Sequence, residues 1–168
     1  MNSHNCYSAC FTGHRPSKLP WGYDEDDKRC KKVKMAVFEE IEGAIIRGYN
    51  TFYCGMALGF DMICAEIVLD LKKKYQHIKL IGAIPCGNQT AKWTDTKTIE
   101  RYKKILKQLD DVRCIYDYYV EGCMQERNMF MINNSSLVIA LFNGLSGGTK
   151  STIDYARKQG KEIVIIKP

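Results

Sequence analysis

A chain of 168 residues, 45% of them hydrophobic, is one domain of common size that can bury a core without metals or crosslinks. No stretch is apolar over the length that crosses a bilayer, and no basic start leads into an apolar run with a small-residue cleavage site. The expected setting is therefore the cytoplasm, with no membrane partner. The net charge of +6 favours anionic partners, although the clusters at Lys28, Arg29, Lys31, Lys32 and Lys34 and at Lys103, Lys104 and Lys107 read mostly as solvated helix faces.

Eight cysteines include no Cys-x-x-Cys pair, which argues against zinc sites and thioredoxin-type redox motifs, so no metal is expected. Cys6 and Cys10 flank or lie in the first predicted strand, Cys54 ends the second, and Cys64 falls on an apolar helix face. Free buried thiols are predicted, with Cys86 and Cys123, in or beside loops, the two to watch for reactivity.

In chain order, Tyr7 to Thr12 predicts the first strand, which runs into Thr12-Gly-His-Arg-Pro16. Gly13 permits a sharp exit. His14 and Arg15 then place donors at the carboxyl end of the strand, where open α/β sheets bind ligands. Arg15 is the better anion contact, since a lone histidine is more often a structural hydrogen-bonding residue. Val33, Val37, Ile41, Ala44 and Ile45 repeat at helical spacing up to Gly48. Thr51 to Cys54 predicts the second strand and leads into Gly55-Met-Ala-Leu-Gly59-Phe-Asp61. A helix follows, with its apolar face at Phe60, Ile63, Cys64, Ile67, Val68 and Leu71. Asp61 in its first turn either satisfies helix N–H groups or meets a ligand hydroxyl such as a ribose, and Glu66 is ambiguous.

Lys79 to Ile84 predicts the third strand, and Pro85 directly after it is expected to end pairing. Gln89 and Trp93 follow; the indole either covers a core edge or stacks on a base or sugar. Ile99 to Leu109 marks a helix, Val112 to Tyr116 a fourth strand, and Glu121 to Asn134 a further helix. There Arg127 and Asn128 lie beside apolar Met129 and Phe130, as on a pocket rim, with a surface salt bridge the alternative for Arg127.

The stretch from Ser136 to Ala156 organises the rest. Leu137 to Phe142 is an apolar run that reads as a strand covered on both faces. The loop after it offers Gly144, Ser146, Gly147, Gly148 and Thr149, whose N–H groups can approach a ligand closely. Thr149 or Ser151 is expected to cap the next helix, whose first turn makes a seat for phosphate. A glycine pair can also simply make a tight turn. Donor-bearing loops after the first and second strands shift the reading toward a bound anion. Glu162 to Ile166 is a sixth strand, after a helix ended by Gly160. Six alternations without a hairpin signal predict a doubly wound, mainly parallel, Rossmann-like α/β sheet in a single domain over residues 1–168.

Thr-Gly-His-Arg at 12–15, Gly-x-Ala-x-Gly-x-Asp at 55–61, Pro85 with Gln89 and Trp93, Arg127-Asn128 with Met131, and Gly-Gly-Thr at 147–149 with Thr152 and Tyr155-Ala156 together resemble the YpsA-like family of the SLOG superfamily. That superfamily also includes DprA and the LOG enzymes. The expected ligand is a nucleotide or an NAD-derived molecule of ADP-ribose type, bound by a sensor or regulator that requires no cofactor. Gly147, Gly148 and Thr149 would hold phosphate, Arg15 and Arg127 would neutralise it, Asp61 would touch a ribose hydroxyl, and Trp93 could stack. Thr12, Gly13, His14, Gly55, Gly59, Gln89, Asn128 and Thr152 complete the candidate set. The likeness of Met124-x-Glu-Arg127 to LOG enzymes implies an alternative, hydrolysis of the N-glycosidic bond of nucleoside monophosphates, with Arg127 and Asp154 as catalytic residues. Asn128 stands where LOG has lysine, and Asp154 where it has glutamate. Likeness to DprA implies a third reading, single-stranded DNA binding, and relatives that often pair imply a possible homodimer.

Overall fold

Six short apolar runs, each followed by a turn and all but the last by a helix, can bury their backbone polar groups only by pairing side by side. In the computed structural model, which describes residues 7–168, they form one six-stranded sheet with every pairing parallel. Cys6 lies outside the described residues. The strands are β1 (Ser8–Gly13), β2 (Thr51–Cys54), β3 (Lys79–Cys86), β4 (Asp111–Tyr116), β5 (Leu137–Leu141) and β6 (Glu162–Ile166), and their order is β4-β3-β2-β1-β5-β6. Between them run α1 (Lys28–Ile46), α2 (Phe60–Lys74), α3 (Thr96–Leu106), α4 (Cys123–Asn133) and α5 (Gly148–Lys158), with a single 3-10 turn at Pro16–Lys18. The chain builds outward from β1 to β4, then returns through α4 to lay β5 on the other side of β1. The strand order therefore reverses between β1 and β5, where Gly13 pairs with Leu141.

Helices cover both faces. Val37 and Ile41 of α1, Ile63 and Val68 of α2 and Ile105 of α3 pack with Phe11, Phe52 and Leu80 in the larger core. Met131 and Ile132 of α4 and Ala156 of α5 pack with Cys10, Ala83 and Val138 in the smaller one. Burial on both faces holds for β1 and β5, but β4 is mostly exposed and β6 only half-buried. Both are edge strands, away from the centre of the covering helices.

Two other expectations are corrected. Pro85 does not end β3, which continues to Cys86. Pairing with β2 stops at Gly82, and from there β3 pairs with β4 alone, Ile84 opposite Cys114 and Cys86 opposite Tyr116. A proline is tolerated where one side of the strand has no partner. Neither Thr149 nor Ser151 caps α5: Gly147 holds that position with a φ of 143°, and both residues lie inside the helix. The Ser151 hydroxyl donates to Gly147 O at 3.2 Å and that of Thr152 to Gly148 O at 2.9 Å, turning their oxygens away from the first-turn N–H groups.

Gly48 and Gly160 close α1 and α5 as expected. In each case the glycine N–H and the following N–H reach back to carbonyls near the helix end, from Gly48 to Ile45 and Tyr49 to Ala44, and from Gly160 to Arg157 and Lys161 to Ala156. The ambiguity at Glu66 is resolved as structural, since its two carboxylate oxygens each accept from Arg101 of α3 at 2.7 Å. The described cysteines are free. Cys86 and Cys123 are buried, and burial pushes the Cys86 thiol up, so the two expected to show reactivity are shielded while Cys114 is exposed. Among the described residues no His, Cys, Asp or Glu cluster could hold a metal, and no helix is long and apolar enough to cross a membrane.

Candidate functional site

Beside the β1/β5 switch point, at the carboxyl end of the sheet, lies a cavity of about 210 Å³. Thr12, His14 and Arg15 enter it from the exit of β1, Asp61 from the start of α2, Arg127 from α4, and Gly148 with Thr149 from the start of α5. Four loop or helix segments far apart in sequence thus meet at one point, because parallel strands all deliver their exits to the same edge.

Arg127 is the centre of this arrangement. It is 4% exposed, yet its guanidinium has no ion-pair partner among the described residues. One Nη donates to Gly55 O, and Nε donates to Asn128 Oδ1 at 2.8 Å. The Asn128 amide donates in turn to Thr152 Oγ1 at 3.0 Å, and the Thr152 hydroxyl to Gly148 O. This chain ties the orientation of Arg127 to the first turn of α5. Asn128 and Thr152, expected among the ligand contacts, are positioning residues for the arginine, although Asn128 also lines the cavity. Burial pushes the Arg127 pKa down, with Asp61 acting in the opposite direction.

Asp61 is the acid among the cavity's lining residues. It is 7% exposed, accepts from Ala57 N at 3.1 Å, and has its pKa raised by burial against the pull of Arg127 and Arg15. His14 is structural. Its Nε2 accepts the Asn143 N–H at 3.2 Å, its ring sits 5.8 Å from Phe142, and burial lowers its pKa, so a neutral imidazole joins the exits of β1 and β5.

Not all the glycines make room for a ligand. A Cβ at Gly13 would stand 2.4 Å from Phe60 Cδ1, at Gly55 2.5 Å from Arg127 Nη1 and 2.8 Å from Asp61 Oδ2, and at Gly59 2.8 Å from Pro16 Cδ. Protein side chains already fill those spaces. At Gly148 a Cβ would meet nothing within 4 Å, and no side chain caps α5, so its first-turn N–H groups are left without a side-chain acceptor. Gln89 props the β2–α2 loop: its amide donates to Gly55 O and Met56 O, both at 3.3 Å, where Met56 holds a left-handed φ of 56°. Trp93 lines an adjoining groove rather than the cavity. Asp154 lines a different groove on the far side of Gly148, where Lys150 holds it at 2.6 Å and Arg157 at 3.4 Å. The structure therefore does not bring Asp154 into the cavity with Arg127.

Some lining residues are absent from the candidate set. Lys18, in the 3-10 turn, reaches across to the glycine loop, where a Cβ at Gly147 would stand 2.8 Å from its Nζ. Its position after Thr-Gly-His-Arg-Pro is the only hint in the sequence. Met124 lines the cavity and both adjoining grooves; the sequence marks it only as the first residue of the Met124-x-Glu-Arg127 segment.

Such a site on such a sheet defines a Rossmann-like domain with a cationic cavity at its topological switch point. The chain belongs to the YpsA family: the family model, described as the YspA SLOG family, matches residues 9–167. It is 34% identical over 126 residues to a UPF0398 protein of Brevibacillus brevis, covering 73% of this chain and 62% of that protein. It is also 34% identical over 142 residues to the uncharacterized SPbeta prophage-derived protein YoqJ of Bacillus subtilis, covering 77% and 81%. Among solved structures, DNA processing protein A from Helicobacter pylori, described for its single-stranded DNA binding mode, superposes with a TM-score of 0.65 at 20% identity, over 96% of this chain and 65% of that one. DprA from Streptococcus pneumoniae gives 0.63 at 15% identity, over 95% and 50%. These two share the fold, and this chain spans half to two thirds of their length.

Proposed function

We propose that the protein binds the phosphate of a nucleotide or NAD-derived ligand in the cavity at the β1/β5 switch point, as a sensor or regulatory module. The observation that carries this reading is Arg127, a 4%-exposed guanidinium at the wall of an open cavity that makes no direct salt bridge among the described residues, with Asp61 acting on it only as a nearby charge. A buried charge without a directly hydrogen-bonded counter-ion is costly, and an incoming phosphate supplies one. Arg15 and Lys18 also line the cavity, and the uncapped first turn of α5 supports the same reading with N–H groups and a favourable dipole. Asp61 would accept from a ribose hydroxyl. The SLOG relationship favours nucleotide-type ligands over other phosphates, and the DprA likeness leaves nucleic acid as a partner to be tested beside them.

Isothermal titration with AMP, ADP, NAD and ADP-ribose, on wild type and on Gly148→Asp, tests this. The variant places a carboxylate in the anion seat, where the absence of neighbours within 4 Å leaves room for a side chain. Binding to wild type and its loss in the variant is the expected result. Failure of the whole panel to bind wild type, or equal binding to both proteins, would overturn it.

A further inference from the structure

We propose that the groove next to the cavity, bounded by Trp93 and Tyr119, is a nucleobase subsite, an assignment that rests on the phosphate reading above. The cavity of about 210 Å³ is smaller than the roughly 300–1,000 Å³ of ordinary small-molecule sites, so a ligand anchored there by its phosphate must extend outward. Two exits exist, and the residues along them differ in what they leave free.

One exit, about 700 Å³, passes Met129, Asp154 and Tyr155. Its aromatic hydroxyl and its carboxylate are already engaged: Tyr155 donates to Asn133 Oδ1 at 2.9 Å, and Asp154 is held by Lys150 and Arg157. The other, about 420 Å³, shares Arg15, Ala57 and Met124 with the cavity, so the two are connected through the residue best placed to follow a phosphate.

This second groove presents two aromatic side chains. Tyr119 is 62% exposed, an aromatic surface left in water. Its backbone N–H donates to Asn88 Oδ1 at 3.1 Å, which fixes the loop after β4 against the loop after β3. Trp93 is held by an edge-on contact with Tyr102, ring centroids 5.2 Å apart and planes at 84°. Lys92 Nζ stands 5.9 Å from the Tyr119 ring centroid, adding a cation to the groove. A ring held in place before a ligand arrives, as Trp93 is, loses little freedom on binding, and a base offers either aromatic group a π-face. Neither Tyr119 nor Lys92 stands out in the sequence. They reach the groove only because β3 and β4 are neighbours.

The test compares AMP with ribose 5-phosphate, which differ by the base. The chain has two tryptophans, and Trp21 is 6% exposed, so a ligand-dependent change in intrinsic fluorescence reports on Trp93. AMP is expected to quench that fluorescence and to bind wild type more tightly than ribose 5-phosphate does. Tyr119→Ala should weaken AMP by roughly 5- to 150-fold, the range of one base–aromatic stack, and close much of the gap to ribose 5-phosphate, while Tyr119→Phe keeps it. If both ligands bind wild type equally, or if Tyr119→Ala and Trp93→Leu each keep the full preference for AMP, the subsite is overturned and the phosphate reading stands. If neither ligand binds wild type, both fall together.

Discussion

The glycine loops after β1 and β2 look in sequence like the loop before α5, yet they do opposite things. At Gly13, Gly55 and Gly59 the missing Cβ is replaced by Phe60, Arg127 with Asp61, and Pro16, each within 3 Å of where it would stand. At Gly148 the same omission leaves open space at the wall of the cavity. The first set lets the protein pack against itself; the second leaves backbone N–H groups for something else. A glycine in a strand-exit loop therefore argues for a ligand only after the occupant of its missing side chain is known.

Arg127 joins the two kinds of loop, since it fills the space at Gly55 and opens on the cavity beside Gly148. It should carry the largest effect. Arg127→Met removes charge-assisted hydrogen bonds worth about 1.5–3 kcal/mol each, so nucleotide affinity is expected to fall by roughly 10- to 150-fold in a protein still folded by circular dichroism. An unchanged Kd by titration would place the anion elsewhere.

Next comes the contrast between the loops themselves. Gly55→Ala forces a methyl group to within 2.5 Å of Arg127 Nη1 and 2.8 Å of Asp61 Oδ2, so the buried arginine must shift and strain its hydrogen bonds to Gly55 O and Asn128. A loss of about 1–3 kcal/mol in urea unfolding is expected, together with weaker nucleotide binding as the arginine is displaced. Gly148→Ala adds its methyl to empty space at a helix start, so its stability should stay within about 1 kcal/mol of wild type. Equal losses in the two variants would erase the distinction between filled and open loops.

How much of this was legible beforehand follows the same line. The alternation of short apolar runs and helical spacings gave the sheet, its parallel sense and all five helices, because those signals are local and repeated. The edge character of β4 and the continuation of β3 through Pro85 were not legible, since both depend on which strand lies beside which. The convergence of Thr12, Arg15, Asp61, Arg127 and Gly148 was readable from motif order and the geometry of parallel strand exits. The roles within that group were not. Asn128 and Thr152 have the polar side chains of ligand contacts but are used to orient Arg127, and Lys18 enters by crossing from a short turn that carries no periodic signal. A motif marks where residues meet, whereas hydrogen-bond partners decide what each one does there.

His14 belongs to the self-packing side of the comparison, and pH reveals it. Burial lowers its pKa in the folded protein, whereas the unfolded chain takes up a proton near the ordinary value of about 6.5. The stability contributed by the neutral ring is thus complete above that pH and is lost as pH falls from about 6.5 toward the folded-state pKa. Thermal melts between pH 7.5 and 5.5 should show a steeper loss of Tm for wild type than for His14→Gln, which keeps an acceptor for the Asn143 N–H. Parallel slopes would mean that the ring accepts its proton without cost and faces the ligand space instead.

The smallest effect is expected at Asp154, and it tests the open side from outside. This carboxylate lines the groove beyond Gly148, 40% exposed at its side chain, and Lys150 and Arg157 of its own helix hold its pKa below the usual carboxylate range. Pairs of that kind one helical turn apart contribute little to folding. Arg127 lies in the neighbouring cavity and reaches no acid on α5, so a carboxylate at 154 has no defined geometry with respect to a sugar seated by its phosphate there. Asp154→Asn should therefore change AMP affinity by less than about twofold, well below the effect predicted at Arg127. A tenfold change, or release of adenine from AMP by wild type that stops in the variant, would instead join the groove and the cavity into one reacting site.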